Sequence, residues 1–107
     1  MQSSFNTDRV LASPGAVTSP FARALFDQSI ALFLGGEPEA ARMILHEVVK
    51  ATVGFELLAE LTNRSCANLR SMLSSKGRPG MDNLSSIFRI LRDWLHVRVD
   101  VQVLDAA

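Results

Sequence analysis

Apolar residues recur at helical spacing over most of this chain. Phe26, Ile30 and Phe33 share one stripe with Leu25 and Leu32 beside it, an apolar surface wide enough to demand cover on two sides. Ser19 and Pro20 supply an N-cap and a first-turn proline for this helix, and Gly35-Gly36 stops it after Leu34. A second helix opens at Glu37-Pro38-Glu39, with carboxylates at the positive end of the helix dipole. It turns Ala41, Ile44, Leu45 and Val48 inward and gives out near Gly54. A short third helix carries Leu57, Leu58 and Leu61, with small Ala59 where another helix can cross closely, until Thr62-Asn63-Arg64 breaks the pattern. Asn63 tolerates a left-handed turn, and Ser65 caps a fourth helix that begins at Cys66 and buries Leu69, Met72 and Leu73. Lys76-Gly77-Arg78-Pro79-Gly80 then dictates a loop over 74–80. The fifth helix, over 81–95, sets Leu84, Ile87, Phe88, Leu91 and Leu95 on one face and Ile90 and Trp94 on an adjoining one.

After residue 95 the period changes from that of a helix to two. His96-Val97-Arg98-Val99-Asp100-Val101-Gln102-Val103 alternates without a break, the signature of a strand covered on one face. Its Val face suits Ile90 and Trp94, but its backbone edges need partners. Two are on offer: the short strand-like run Arg9-Val10-Leu11-Ala12, or the same strand of a second chain. Antiparallel pairing of identical strands satisfies a twofold axis and sets Arg98 of one chain near Asp100 of the other. Ile90, Trp94, Val97, Val99, Val101 and Val103 are therefore the expected dimer residues. Residues 1–19, rich in Ser, Pro and Gly, read as a tail that holds no core of its own. The expected organisation is this tail, a helical domain over 20–95 and a dimerisation strand over 96–107.

Composition adds bounds. The 107 residues, 48% of them apolar, suit one small domain. Eleven basic and eleven acidic side chains cancel overall, so the distribution of charge says more than the total. Between Leu61 and Met81 stand Arg64, Arg70, Lys76 and Arg78 with no acid, a net +4, whereas five Glu between Glu37 and Glu60 face only Arg42 and Lys50, a net −3. The single cysteine makes no internal disulfide, and no basic leader with an apolar run or membrane span is visible. A cytoplasmic protein with no membrane partner is the expectation.

Catalysis finds little support. His46-Glu47-Val48-Val49-Lys50 lacks the second histidine of a zinc-binding helix, Cys66 has neither a second ligand nor a base, and Gly77-Arg78-Pro79-Gly80 lacks the Gly-Lys-Ser/Thr ending of a phosphate-binding loop. No enzyme, metal or cofactor is expected. The third and fourth helices, by contrast, form a helix, a tight turn and a second helix whose outer face is Cys66, Ala67, Asn68, Arg70 and Ser71. A small, polar and basic face of this kind suits entry into a DNA major groove.

Here the chain resembles the lambda-repressor-like helix-turn-helix regulators and, within them, the addiction-module antitoxin proteins. The likeness rests on Gly54-Phe55-Glu56-x-Leu58-Ala59, Asn63-x-Ser65, Leu69-x-x-Met72-Leu73-Ser74, Gly77-x-Pro79 and Asn83-Leu84, about 30 residues in all. Two positions depart from the pattern: Asn63 stands where the wider superfamily usually has Gly, and Phe55 where a phosphate-contacting Gln is common. The resemblance implies a mainly α, five-helix lambda-repressor-like helix-turn-helix domain, here with a C-terminal β-strand. It also implies a homodimeric transcriptional regulator that binds a palindromic operator in double-stranded DNA, represses its own operon and neutralises a cognate toxin. In that role Ser65, Cys66, Ala67 and Ser71 approach base edges, Asn68 and Arg70 reach bases or phosphates, and Arg64 adds positive charge beside them. Lys76 and Arg78 hold the backbone, and the N–H groups at Phe55 and Glu56 offer a phosphate anchor. The competing reading is a protein-interaction module that has lost DNA binding and works through the acidic stretch 37–60. It leaves the basic segment 64–78 unexplained.

Overall fold

The structure, a computed structural model, describes residues 19–106; the strand-like run at 9–12 lies outside them. Five helices follow one another: α1 (Pro20–Leu34), α2 (Pro38–Ala51), α3 (Phe55–Thr62), α4 (Cys66–Met72) and α5 (Met81–Leu95). Their ends are set by local chemistry. The Ser19 side chain accepts from the Ala22 N–H at 3.2 Å, and Pro20 occupies the first turn, where its missing N–H costs nothing. Three helices end in the same way, with one residue in the left-handed region and a six-to-one amide bond back into the last turn. Glu37 N–H reaches Leu32 O after Gly36, Arg64 N–H reaches Ala59 O after Asn63, and Val97 N–H reaches Arg92 O after His96. Asn63, at φ 57° and ψ 44°, does the work of a glycine.

α1 and α2 pack as a helical hairpin, α3 packs on α2, and α4 and α5 pack on α3, with Phe88 of α5 also resting on Phe26 and Phe33 of α1. The core joins Phe26 of α1 with Leu45, Val48 and Val49 of α2. Phe55 and Leu58 of α3, Leu69 of α4, Leu73 just beyond it, and Leu84, Ile87, Leu91 and Leu95 of α5 complete it. Truncating any one of the fully buried leucines should cost about 2–5 kcal/mol. Ser29, the buried polar residue among those described, donates its hydroxyl to Phe26 O at 2.7 Å.

Two sequence expectations are corrected. Leu61 is 55% exposed, so it is not part of the inner face. That face is Phe55, Leu58, Ala59 and the half-buried Thr62, and at 100° per residue Leu61 lies about a third of a turn away from its centre. The second correction concerns the C-terminus. Among the described residues there is no β-strand: His96 caps α5, Val97 packs against the core, and 98–106 make no backbone hydrogen bond. Among the described residues no second strand offers this segment an edge, and a ladder needs two. Val97, Ile90 and Trp94 all pack at the margin of the same core. Val97 and Val99 border a groove of about 510 Å³ walled by α1, including Ala24, Phe26 and Ile30, whereas Ile90 borders another groove with Leu61 and Arg64. Beyond Val99 the apolar side chains stand in solvent, Val101 being 63% and Val103 94% exposed. No helix among the described residues is long and apolar enough to cross a membrane.

Candidate nucleic-acid interface

α4 is only seven residues long, too short to persist by its own propensity, so its position depends on what holds it. The Ser65 Oγ accepts from the Asn68 N–H at 3.0 Å and fixes the first turn. Leu69, fully buried, and Leu73, 1% exposed, pin the inner side. Ala67, Asn68, Arg70 and Ser71 then stand outward, as the spacing requires, while Cys66 is half-buried and packs against the core. The outer face thus has small side chains at its start and an amide and a guanidinium at its centre.

Phe55 does not present its side chain to this surface. Its ring is 4% exposed and forms the floor beneath Arg70, whose guanidinium carbon lies 5.0 Å from the ring centroid, a cation–π distance. The His46 ring of α2 packs on Phe55 at 4.9 Å between centroids. The contact expected of Phe55 was through its backbone N–H, and the ring itself is a core residue that supports Arg70. The Phe55 and Glu56 N–H groups remain in the first turn of α3, where the Gly54 cap provides no side-chain acceptor.

Arg64 is also engaged. Its Nη2 donates to Asn83 Oδ1 on α5, which ties the turn between α3 and α4 to the last helix. The loop after α4 is held from the opposite side by Arg42 of α2, which donates through Nε to Ser74 O at 3.0 Å and through Nη2 to Ser75 O at 2.8 Å. Gly77 is buried and tucked against the end of α4: a Cβ built there would sit 2.1 Å from Met72 O and 2.5 Å from Ser71 O, both backbone atoms. Only glycine lets the loop approach so closely, and its two neighbours, Lys76 and Arg78, point away into solvent.

The expected contact residues are therefore brought together on α4 and the following loop, with Phe55 moved beneath the surface and Arg64 tied to Asn83. Among the described residues none of Arg64, Arg70, Lys76 and Arg78 is in an ion pair, since the ion pairs of this region of the chain involve Glu47 with His46 and Lys50 on α2. Their charge is not neutralised by an ion pair among the described residues. Sequence reading missed the supports: Arg42 lies 32 residues before its acceptor Ser74, and no local pattern connects the two. Gly77 carried a visible signal, a glycine between two basic residues, but that signal specifies a turn and not the carbonyls it would rest on. Compared with protein-family models, curated proteins and solved structures, the chain matches none.

Proposed function

We propose that the protein is a sequence-specific DNA-binding transcriptional regulator in which α4 enters the major groove of a palindromic operator. One observation carries the reading: a short, doubly anchored helix exposes Ala67, Asn68, Arg70 and Ser71, continuous with Lys76 and Arg78, on a surface whose four cations have no anionic partner among the described residues. Small residues at the start of the helix permit close approach to base edges. Arg70, braced on the Phe55 ring, offers a planar fork that matches guanine O6 and N7. Lys76 and Arg78, on the loop that Arg42 clamps, would grip phosphates, which position the protein without reading sequence. The antitoxin resemblance extends this reading to repression of the chain's own operon and neutralisation of a cognate toxin by a homodimer.

The test is titration against the chain's own upstream region and against random duplex over a range of salt. With Lys76, Arg78 and one more cation per protomer on phosphates, about six contacts in a dimer give a log–log slope near roughly −5. Arg70→Ala should cost about 1–3 kcal/mol on the operator and little on random DNA, whereas Lys76→Ala should weaken both about equally. Salt-independent affinity, or no preference for the upstream region, overturns the reading.

A further inference from the structure

Residues 97–101 combine three features. The amides and carbonyls of 98–101 bond to nothing among the described residues, Val99 and Val101 are exposed, and the groove of about 510 Å³ beside this segment is bordered by the apolar Ala24, Phe26 and Ile30 of α1. An open backbone edge alongside a groove that also carries Arg23 and Asp27 among its apolar side chains is a site for strand addition. Charge then selects the occupant.

In an antiparallel pair of identical strands, residue i opposes residue j with i + j constant. A dyad through Val99 sets Arg98 against Asp100 twice, Val97 against Val101 twice and Val99 against itself. Every opposed pair is then either of opposite charge or apolar, the two kinds that stabilise a ribbon. Moving the dyad one residue to Asp100 opposes Asp100 to itself and Arg98 to Gln102, and moving it to Arg98 opposes Arg98 to itself. Within the protomer Arg98 Nη2 stands 3.5 Å from Asp100 Oδ2, but the two side chains are 85% and 82% exposed, so both are available for exchange.

The hydrogen-bond pattern follows as well. Val97 N–H is already committed to Arg92 O at 3.2 Å, so it cannot donate across the dyad. The exchanged bonds must fall on the Arg98 and Asp100 pairs, leaving the Val97–Val101 and Val99–Val99 pairs as the close, non-hydrogen-bonded ones, with Cα atoms about 4.5 Å apart. Opposed residues share a face, so the partner's Val101 comes to lie beside Val97, on the side from which Val97 and Val99 border the groove.

We propose that this segment is the homodimer interface: a two-stranded antiparallel ribbon with its dyad at Val99, seating Val101 of each protomer in the groove along α1 of the other. The inference does not depend on DNA binding, and its test is made without DNA. Sedimentation velocity of the full chain should show a dimer. Arg98→Asp alone opposes four carboxylates across the dyad, and Asp100→Arg alone opposes four guanidiniums, so each variant should sediment as a monomer with unchanged helical circular dichroism. Mixed, the two should form a heterodimer, because each Asp of one then meets an Arg of the other. In a Cys66→Ser background, Val99→Cys should cross-link two chains on mild oxidation, since disulfides span Cα separations of about 4.4–6.8 Å, whereas Val103→Cys should not. A monomeric wild type, which is the outcome if residues of its own N-terminus fill the groove, overturns the proposal. So do single charge variants that stay dimeric, a mixture that stays monomeric, or equal cross-linking at 99 and 103.

Discussion

The α4 end of the molecule and the C-terminal segment are both solvent-facing, but they are built in opposite ways. Every part of the first is fixed from within the protomer. Ser65 caps α4, Leu69 and Leu73 anchor it, the Phe55 ring floors Arg70, and Arg42 and Gly77 set the loop that carries Lys76 and Arg78. Past Val97 the second has no hydrogen bond among the described residues, and its apolar side chains grow more exposed toward the end. A surface held rigid before it meets a partner loses less entropy on binding. A segment without backbone hydrogen bonds keeps its edges open to another strand. Exposure alone therefore does not distinguish a finished surface from an unfinished one; the bonding of the backbone beneath it does.

The sharpest way to break this contrast is at Gly77. A methyl group there would meet two backbone carbonyls of α4 at 2.1 and 2.5 Å, neither of which can swing aside as a side chain can. Gly77→Ala should destabilise the protein by about 3 kcal/mol, the upper range for overpacking, and displace Lys76 and Arg78 together. Gly80→Ala is the control. Nothing lies within 4 Å of its added Cβ and its φ is −68°, so the loss in a denaturant titration should stay near ~0.5 kcal/mol, the difference between glycine and alanine at a helix N-cap. Equal midpoints for the two variants would mean that the loop is not seated on α4.

Arg42 sharpens the comparison from a distance. Its guanidinium is the only link among the described residues that reaches from α2 to the Ser74 and Ser75 carbonyls by hydrogen bonds. Methionine keeps much of the stem and removes both charge-assisted donors. Arg42→Met should cost about 2 kcal/mol, a figure lowered from the sum of two such bonds because one of them is exposed. It should also raise hydrogen exchange in the loop 74–80 ahead of the rest of the protein. Uniform loss of protection would show that Arg42 acts on global stability instead of on the loop.

These supports mark the boundary of what the sequence made legible. Ends governed by neighbours could be read directly: Ser19 with Pro20, Gly35 with Gly36, Asn63 with Ser65, and the 81–95 helix all stand where the pattern put them. Each of these signals acts within one or two turns of itself. The outward set on α4 was legible for the same reason, because helical spacing fixes which residues oppose Leu69. Phe55 was expected to contribute its backbone N–H, so its ring, which packs on His46 nine residues back and lies under Arg70 fifteen residues on, was left out of the apolar stripe. Leu61 was misjudged as a consequence: omitting Phe55 from the apolar stripe rotates its apparent centre toward Leu61. His96 looked like the first residue of a strand because alternation begins there, but its left-handed conformation caps α5, and period-two patterning carries no information about where a strand's partner is.

The smallest expected effect is the most direct test of the contrast. Deleting 101–107 removes Val101, Val103 and Leu104, which are 63%, 94% and 78% exposed, and residues that make no hydrogen bond among the described part of the chain. Segments with so little burial do not offset their own ordering entropy, so in dilute solution the unfolding free energy should change by less than about 0.5 kcal/mol. Concentration then separates the two regions. A dimer is stabilised by mass action, so the full chain should unfold at a temperature that rises with protein concentration, whereas the shortened chain should lose that dependence and keep its dilute-limit midpoint. The comparison fails if the shortened chain is already less stable when dilute, because the segment would then be held by its own protomer. It fails equally if both chains show the same concentration dependence, because association would then run through some other surface.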